Sequence, residues 1–232
     1  MKLKDIVFDK VYKILVYLYD RFFNSFKNNS YSQEGEDLVL QRIFSEKKTG
    51  FYIDIGAHHP KRFSNTYFFY KKGWRGINIE PKPGSKNTFD KIRPRDINIE
   101  AAISAHVEKL TYYMFSEPAL NTFLQEKANI LTHNNISVLI RKLEIQTTTL
   151  KQILDKYLPD ITPIDFLSID TEGLDFDVLK SNDWDKYKPR IILAEDKDFT
   201  IESPQESDIY KYLSERGYRL ISKTFKTLIF QY

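Results

Sequence analysis

Three stretches of the sequence decide the fold: FYIDIGAHHP at 51–60, GWRGINIEP at 73–81 and IDFLSIDTEG at 164–173. Each contains a short apolar run that ends in or beside an acidic residue, namely Asp54, Glu80 or Asp170. Short apolar runs that are separated by helical patterns are typical of buried parallel strands. Because α/β sheets bind ligands at the carboxyl ends of their strands, these acidic side chains are predicted to share one crevice.

Strands and helices alternate on both sides of these stretches. Strands are predicted at 51–55, 76–79, 97–103, 110–115, 143–148, 164–169, 191–194, 218–222 and 227–230, and helices at 38–44, 63–72, 85–92, 150–157, 174–180 and 204–216. This order predicts an α/β fold with a mostly parallel, doubly wound, Rossmann-like sheet. The last two strands form a hairpin, which is expected to add an antiparallel strand at the edge of the sheet. Residues 31–232 are predicted to form one domain.

Composition excludes several classes of function. The chain has 232 residues, no cysteine, and 35 Lys and Arg against 32 Asp and Glu, which gives a net charge of +3. The lack of cysteine excludes disulfides, thiolate metal sites and cysteine nucleophiles. A net charge this small gives no reason to expect a nucleic acid as partner.

Residues 1–30 are predicted to form an amphipathic N-terminal helix. Its apolar residues recur at helical spacing, and they are Leu3, Val7, Val11, Ile14, Leu15, Leu18, Phe22 and Phe26. Such a stripe most often packs on its own domain or on a second copy of the chain, as in a homodimer. The alternative is peripheral contact with a membrane surface. No secretory signal is apparent, so a cytoplasmic location is expected, with the inner face of the membrane left open.

The glycine pattern bears on the class of cofactor. The turn after the first strand contains a single glycine, Gly56, where a dinucleotide-binding fingerprint has three. This disfavours a pyrophosphate cofactor such as NAD or FAD. A nucleoside without phosphates, such as S-adenosylmethionine, needs only one tight turn. Glu80 ends the second strand, where a carboxylate can accept hydrogen bonds from both ribose hydroxyls.

These residues resemble the FkbM-type S-adenosylmethionine-dependent methyltransferases. The resemblance covers roughly residues 31–230 and is carried by FYIDIGAHHP, GWRGINIEP, TTTL at 147–150, IDFLSIDTEG and RIILAED at 190–196. The set SQxGED, FSNT and GWRGINIEP is similar to a subgroup met in bacterial surface-polysaccharide gene sets. The resemblance implies a class I methyltransferase fold and methylation of a hydroxyl of a sugar in a bacterial surface glycan or its precursor.

The resemblance also implies roles for individual residues. Cofactor contacts are implied for Ser32, Gln33, Asp54, Gly56, Ala57, Glu80, Ala101, Ala102 and Asp170. Among these, Glu80 would hold the ribose and the two alanines would lie against the adenine. Asp170 and Glu172 would lie beside the methionine part and the reacting methyl group.

An alcohol acceptor must lose a proton around the transition state, so a general base is expected. His58 and His59 are the candidates by pKa, because histidine titrates near neutrality. Asp170 and Glu172 are the competing candidates. A turn or packing role for either histidine is the alternative.

A metal site is a further expectation. Asp170, Glu195 and Asp196 follow two predicted strands, and carboxylates suit Mg²⁺. The alternative is that these acids contact polar cofactor or substrate groups through water.

Two other functions remain open on the sequence alone. Asp175-Phe176-Asp177 forms a D-x-D pair of the kind that holds a metal and a nucleotide sugar in glycosyltransferases, although it is interpreted here as a solvated helix face. A non-catalytic interaction module is the other alternative. The polar segment from Pro118 to Arg141 interrupts the α/β alternation and is a candidate acceptor site. Its cations, which could meet an anionic group or face solvent, are Lys127, His133, Arg141 and Lys142.

Overall fold

The computed structural model describes residues 3–23, 28–158 and 162–232. The chain divides into two compact units, residues 1–30 and 31–232. The described residues of the first unit form one helix, α1 (Leu3–Phe23), which carries the predicted apolar residues from Leu3 to Phe22. Phe26, the last residue of the predicted stripe, lies outside the described residues. No described helix is both long enough and apolar enough to cross a membrane.

The second unit contains the remaining elements. Its helices are α2 (Glu36–Ile43), α3 (Tyr67–Lys71), α4 (Ser85–Ile92), α5 (Gln125–His133), α6 (Leu150–Tyr157), α7 (Asp175–Lys180) and α8 (Asp208–Ser214). Its strands are β1 (Phe51–Ile55), β2 (Arg75–Ile79), β3 (Ile97–Ile99), β4 (Ala102–Ile103), β5 (Lys109–Phe115), β6 (Leu139–Thr148), β7 (Phe166–Ile169), β8 (Ile191–Glu195), β9 (Arg219–Lys223) and β10 (Thr227–Gln231). Single 3₁₀ turns form at Pro118–Leu120 and Pro204–Glu206.

The main sheet confirms the predicted Rossmann-like α/β fold. Its seven strands lie in the order β3-β2-β1-β7-β8-β10-β9. The pairs from β3 to β8 are parallel, and β10 is antiparallel to both of its neighbours. The chain therefore winds outward from β1 in both directions, which brings the carboxyl ends of β1, β2 and β7 together at the centre of one sheet edge.

The position of the antiparallel strand differs from the prediction. β10 lies inside the sheet, between β8 and β9, and β9 takes the edge. The burial of the two strands explains this order. Leu228, Ile229 and Phe230 of β10 are all fully buried, whereas no residue of β9 is. The more apolar strand of the hairpin thus occupies the interior.

Apolar cores cover both faces of the sheet. Ile53 and Ile55 of β1 belong to one core, together with Leu150 of α6 and Val178 of α7. Alternate residues of the same strands point the other way, and Tyr52 joins an aromatic core that includes α2 and α3 residues. The alternation of side chains along a strand produces these two faces.

The segment that interrupts the main alternation builds a second, three-stranded sheet. Its order is β4-β6-β5, with a long antiparallel β5–β6 pair. The predicted single strand at 97–103 is in fact divided, because β3 pairs with β2 in the main sheet while β4 pairs with β6. The chain changes sheets at Glu100 and Ala101. The two sheets are therefore joined at the end of β3, beside the carboxyl end of β2.

Two predicted helices are shorter than expected. The helix predicted at 63–72 begins only at Tyr67, because the Ser64 and Thr66 hydroxyls bond to buried polar groups instead of continuing a helix. The helix predicted at 204–216 is divided at Ser207, whose side chain accepts a hydrogen bond from the Tyr210 amide and caps α8.

Candidate cofactor and active site

A cleft opens at the carboxyl ends of β1, β2 and β7, between the two sheets. This edge of the sheet is where α/β folds bind their ligands. The walls of the cleft include the predicted cofactor residues Gln33, Asp54, Gly56, Ala57, Glu80, Ala101, Ala102 and Asp170, and also His58 and Glu172. His59, Glu195 and Asp196 are absent from these walls, and Ser32 binds Asp37 next to the cleft.

The floor of the cleft is a tight contact between two strand ends. Gly56 has a φ of +75°, and a Cβ atom added there would lie 1.8 Å from the Asp170 backbone oxygen. The amides of Gly56 and Ala57 both donate to the Ile79 oxygen, at 2.9 and 3.1 Å. A residue larger than glycine would thus force β1 and β7 apart. Gly56 is required here by packing as well as by backbone conformation.

Glu80 is held rigidly at the end of β2. Its two carboxylate oxygens accept hydrogen bonds from the backbone amides of His58, at 2.8 Å, and Lys82, at 3.0 Å. Burial raises the pKa of Glu80, and these two amides act against that rise. Each carboxylate oxygen has two lone pairs, so both oxygens can still accept a bond from a ligand hydroxyl.

Two residues that the sequence did not single out complete this wall. Burial, followed by the Glu80 charge, raises the pKa of Tyr112, and Asn121 also acts on that pKa. Both residues come from the second sheet and its following loop, and both line the cleft. A tyrosine inside a strand pattern resembles an ordinary core residue, so nothing in the sequence distinguished it.

A buried polar network holds the Asp54 side chain in place. The Thr66 hydroxyl donates to Asp54 Oδ2 at 2.6 Å. Arg93, which is completely buried, donates to Thr66 Oγ1 and forms an ion pair with Asp96 at 2.8 Å. Tyr52 joins both members of that pair through its hydroxyl. Burial raises the pKa of Asp54, and the Thr66 bond and the Arg93 charge oppose this. The network fixes the Asp54 side chain.

His58 combines three unusual properties. Its φ is +51°. Its ring stacks on Phe63 at a centroid distance of 6.0 Å, and its Nε2 atom is buried with no hydrogen-bond partner among the described residues. Burial, followed by the charge of Arg62, lowers the pKa of His58 to about 4. The imidazole is therefore neutral at physiological pH, and one of its nitrogens lacks a partner.

The structure places the His59 side chain in the turn that follows it. Its Nδ1 atom accepts hydrogen bonds from the amides of Lys61, at 3.1 Å, and Arg62, at 3.0 Å. The ring thus caps the turn that follows, as in the packing alternative. Burial, with Arg62 and Lys61, lowers the pKa of His59. With its side chain outside the cleft, His59 is not placed to contact a cofactor or an acceptor.

Backbone strain concentrates at the cleft. Among the described residues, four other than glycine adopt a left-handed φ: His58, Phe63, Asn135 and Glu172. Three of the four line the cleft, all except Asn135. Such conformations cost about 1–3 kcal/mol each and tend to cluster at functional sites. The sequence carries no signal for them, since none of the three is a glycine.

An acidic cluster lies at one end of the cleft. Asp170, Glu172 and Glu195 bring one oxygen each within 4.8 Å of one another. Glu172 accepts hydrogen bonds from Lys127 and from Lys197, the latter at 2.9 Å, and Lys197 also pairs with Glu195 at 2.9 Å. Burial acts to raise the pKa of Glu172, but the two lysines outweigh it and lower that pKa.

Asp196 does not belong to this cluster. Its Oδ2 atom accepts a hydrogen bond from the Ser207 hydroxyl at 2.5 Å, at the start of α8. Of the three predicted Mg²⁺ ligands, Asp170 and Glu195 thus meet and Asp196 does not. The ammonium groups of Lys127 and Lys197 already pair with Glu172 and Glu195. A divalent ion would have to displace Lys127 and Lys197, so the residues present do not fit a Mg²⁺ site.

Asp170 is an exposed residue of the cleft walls. Desolvation by those walls, followed by repulsion from Glu195 and Glu172, raises its pKa well above the usual range. Its carboxyl group therefore titrates closer to neutrality than an ordinary aspartate.

The D-x-D residues do not act as a pair. Asp175 is buried, and its carboxylate accepts bonds from the Thr171 hydroxyl, at 2.9 Å, and from the Glu195 amide, at 3.3 Å. Asp177 instead pairs with Lys180 on the surface of α7. The solvated-face interpretation is right for Asp177 and wrong for Asp175, which holds the 171–173 turn in place.

The basic residues that were considered for the acceptor site do not lie together. Lys127 bonds to Glu172 at the cleft, whereas His133, Arg141 and Lys142 are exposed. Of these four residues, only Lys127 thus lies near the residues that are predicted to act in methyl transfer.

The loop before α2 is fixed to the far end of the chain. Glu36 accepts bonds from the hydroxyls of Thr224 and Thr227, and Glu34 accepts one from the Lys226 amide at 2.9 Å. These contacts hold the loop against the β9–β10 turn. They hold the segment next to Gln33, which lines the cleft, and they explain the Glu residues of the SQEGED motif.

Comparison with known proteins identifies the family. One solved structure that matches is a TehB-like SAM-dependent methyltransferase from Corynebacterium glutamicum, with 10% identity over 96% of this chain and 98% of that chain and a TM-score of 0.38. No curated protein matches the chain. The model of the methyltransferase FkbM domain matches residues 54–220, which include the strand-end acids Asp54, Glu80 and Asp170. The chain therefore belongs to the FkbM methyltransferase family.

Proposed function

We propose that this methyltransferase transfers the methyl group of S-adenosylmethionine to a hydroxyl group of a sugar, in a bacterial surface glycan or its precursor. The observation that carries the cofactor part is Glu80, a buried carboxylate held by two amides at the end of β2 and facing the cleft. The acceptor part is supported by the resemblance of SQxGED and FSNT to the surface-polysaccharide subgroup.

The walls of the cleft fit S-adenosylmethionine. The Glu80 carboxylate would accept the ribose hydroxyls, and Ala101, Ala102 and Ile103 offer a small apolar surface for an adenine ring. The sulfonium of the bound cofactor supplies a methyl group that is already activated for displacement. What the protein must add is orientation and a site with little water.

His58 is the residue proposed to meet the acceptor. Its unpartnered Nε2 atom needs a hydrogen-bond partner, because a buried polar atom without one costs about 1–3 kcal/mol. A turn of the ring toward the cleft would let an acceptor hydroxyl satisfy that atom. The hydroxyl would pass its proton to the atom as the O–CH₃ bond forms and the S–CH₃ bond of the cofactor breaks. His58 is neutral at physiological pH, so it can accept that proton without first losing one, and its lowered pKa makes it a weaker base than an ordinary histidine.

Asp170 is the competing base, because its carboxyl group is open to the cleft and its pKa is raised. Glu172 is a poorer candidate than the sequence alone suggests, since Lys127 and Lys197 stabilise its charged form. A base that is held ionised by two cations gains little by taking up a proton.

A second, open cavity adjoins the acidic end of the cleft and supports a hydroxyl-rich acceptor. Its walls share Glu172 with the cleft and include Lys127, Lys197, Glu195 and Asp196. Carboxylates and ammonium groups match sugar hydroxyls, which both donate and accept hydrogen bonds. An apolar aromatic acceptor would offer these groups no hydrogen bonds.

The test has two stages. Calorimetry with S-adenosylhomocysteine, the demethylated cofactor, is expected to show binding at one site per chain. Transfer of a labelled methyl group is then measured on a panel of free sugars, nucleotide sugars and oligosaccharides, with catechols and peptides as the contrast. Labelled sugar supports the proposal. Cofactor binding with label only on catechol or peptide would overturn the acceptor class, and UDP binding that needs Mn²⁺ would favour a glycosyltransferase.

A further inference from the structure

The N-terminal helix α1 presents a broad apolar surface. Every residue from 8 to 22 is exposed, and ten of these fifteen are large and hydrophobic. At about 100° per residue, Val11, Leu15, Leu18 and Phe22 fall along one line of the helix. The apolar residues that flank this line are Phe8, Tyr12, Ile14 and Tyr19.

Charged residues occupy the opposite side. Asp9, Lys10, Lys13, Asp20 and Arg21 fall within the remaining part of the helical circumference. Asp9 and Lys13 form an ion pair at 2.6 Å, and Arg21 donates to the Tyr17 hydroxyl at 3.1 Å. Tyr17 thus belongs to the polar side, while the apolar arc covers roughly half of the circumference or more.

The positive charge of the chain is concentrated in the same segment. Residues 1–30 contain six Lys and Arg against three Asp, which leaves 29 residues of each sign in 31–232. The net charge of this segment therefore equals the +3 of the whole chain. Exposed apolar side chains together with excess positive charge complement an anionic lipid bilayer. The headgroups of such a bilayer are negatively charged and its interior is apolar.

Two other arrangements fit the helix less well. No described helix meets the length and hydropathy needed to cross a membrane. A two-stranded coiled coil buries about two residues in every seven, whereas ten of the fifteen residues described here are large, apolar and exposed. A partner helix would leave most of this surface in water.

We propose that α1 binds in the plane of an anionic lipid bilayer, with Val11, Leu15, Leu18 and Phe22 inserted among the lipids. Lys10, Lys13 and Arg21 would remain at the level of the headgroups, since long basic side chains reach toward water from an apolar surface. The proposal concerns the first unit alone and does not depend on the acceptor of the methyl group.

The experiment measures co-sedimentation of the full chain with vesicles. Vesicles of phosphatidylcholine alone are compared with vesicles that contain about 30% phosphatidylglycerol, at low and high salt. We expect binding to the anionic vesicles to be about tenfold tighter or more, and to weaken as salt screens the basic residues.

A matched pair of variants separates insertion from charge. Leu15→Glu and Tyr17→Glu add the same charge at sites of nearly equal exposure, 59% and 60%, on opposite sides of α1. Leu15→Glu is expected to weaken binding to anionic vesicles about tenfold or more, and Tyr17→Glu by only a few-fold. Unchanged thermal unfolding of both variants serves as the control for folding.

Three results would overturn the proposal. The first is equal binding of the wild type to both kinds of vesicle, or binding to neither. The second is equal loss in the two variants. The third is a concentration-dependent dimer in analytical ultracentrifugation that Leu15→Glu abolishes in the absence of vesicle binding, which would assign the apolar surface to a second copy of the chain.

Discussion

At the scale of single residues, Glu80 is the proposed ligand of the cofactor ribose. Glu80→Gln would replace one carboxylate oxygen by an amide nitrogen, which would face the backbone N–H of either His58 or Lys82. Two donors would then oppose each other, and the charge available to the ribose would be lost. Because a hydrogen bond to a charged group contributes about 1.5–3 kcal/mol, we expect the Kd for S-adenosylhomocysteine to rise about tenfold or more by calorimetry.

Glu100→Gln is the control for this prediction. Glu100 is exposed, accepts a bond from the Gly84 amide at 2.7 Å and lies outside the cleft. Its substitution should leave cofactor affinity within about twofold of the wild type. Equal affinities of Glu80→Gln and the wild type would remove the ribose assignment.

His58 is expected to act on the reaction and not on cofactor affinity. His58→Gln retains a polar group but cannot take up a proton, so kcat should fall by about 10²–10⁴-fold. The Kd for S-adenosylhomocysteine, measured in parallel, should change by no more than a few-fold. A loss of affinity without a loss of kcat would show that the ring only shapes the turn.

The pH dependence separates His58 from Asp170. The His58 pKa is lowered to about 4, so its neutral, proton-accepting form persists well below pH 6.5. If His58 is the base, kcat stays nearly level from pH 7.5 to about 5.5 and falls only as the pH approaches the lowered pKa. An acidic limb inside that range, absent from Asp170→Asn, would transfer the role to Asp170, whose pKa is raised.

At the scale of elements, the β1 turn tests whether the cleft floor depends on packing. Gly56 and Gly84 both have a left-handed φ, at +75° and +82°. A Cβ at Gly56 would lie 1.8 Å from the Asp170 oxygen, whereas at Gly84 nothing lies within 4 Å. Gly84→Ala should therefore cost only the conformational penalty of about 1–2 kcal/mol in denaturant unfolding. Gly56→Ala should cost more than about 4 kcal/mol and abolish cofactor binding. Equal losses would mean that the β1–β7 contact adjusts freely.

The elements that the sequence predicted well are those whose pattern is local. Residues 51–55 and 166–169 form short apolar runs between turn signals, and such runs are typical of buried parallel strands. The division of the predicted strand 97–103 escaped prediction because INIEAAI remains largely apolar on both sides of Glu100. The change of sheet depends on pairing with β6, which lies far along the chain.

In the candidate site, too, some residues could be predicted from the sequence and others could not. The strand-end acids Asp54, Glu80 and Asp170 follow from parallel topology, because that topology brings the strand ends to one edge. The direction of the Asp196 side chain does not, since it depends on a bond to Ser207 at the start of another helix. Arg93 was also missed, because a cation three residues before an aspartate in a polar segment resembles a solvated pair.

At the scale of the whole molecule, the 31–232 unit is closed by contacts between its two ends. Glu36, which is buried, accepts bonds from the hydroxyls of Thr224 and Thr227, about 190 residues away, and from the Glu34 amide at 3.0 Å. These bonds hold the loop that carries Gln33 at the cleft. Glu36→Ala would leave the hydroxyls and the amide without their acceptor. We expect a loss of about 1–3 kcal/mol in the free energy of unfolding and a Kd for S-adenosylhomocysteine that rises a few-fold.

Glu46→Ala provides the comparison. This substitution removes the same charge at an exposed position shortly after the end of α2. Its unfolding free energy should stay within about 0.5 kcal/mol of the wild type. If Glu36→Ala lowers stability but leaves the Kd unchanged, the contacts between the ends stabilise the fold without positioning Gln33. If neither quantity changes, the two ends are held together by the apolar packing of α2 alone, and the acidic residues of SQEGED have another role.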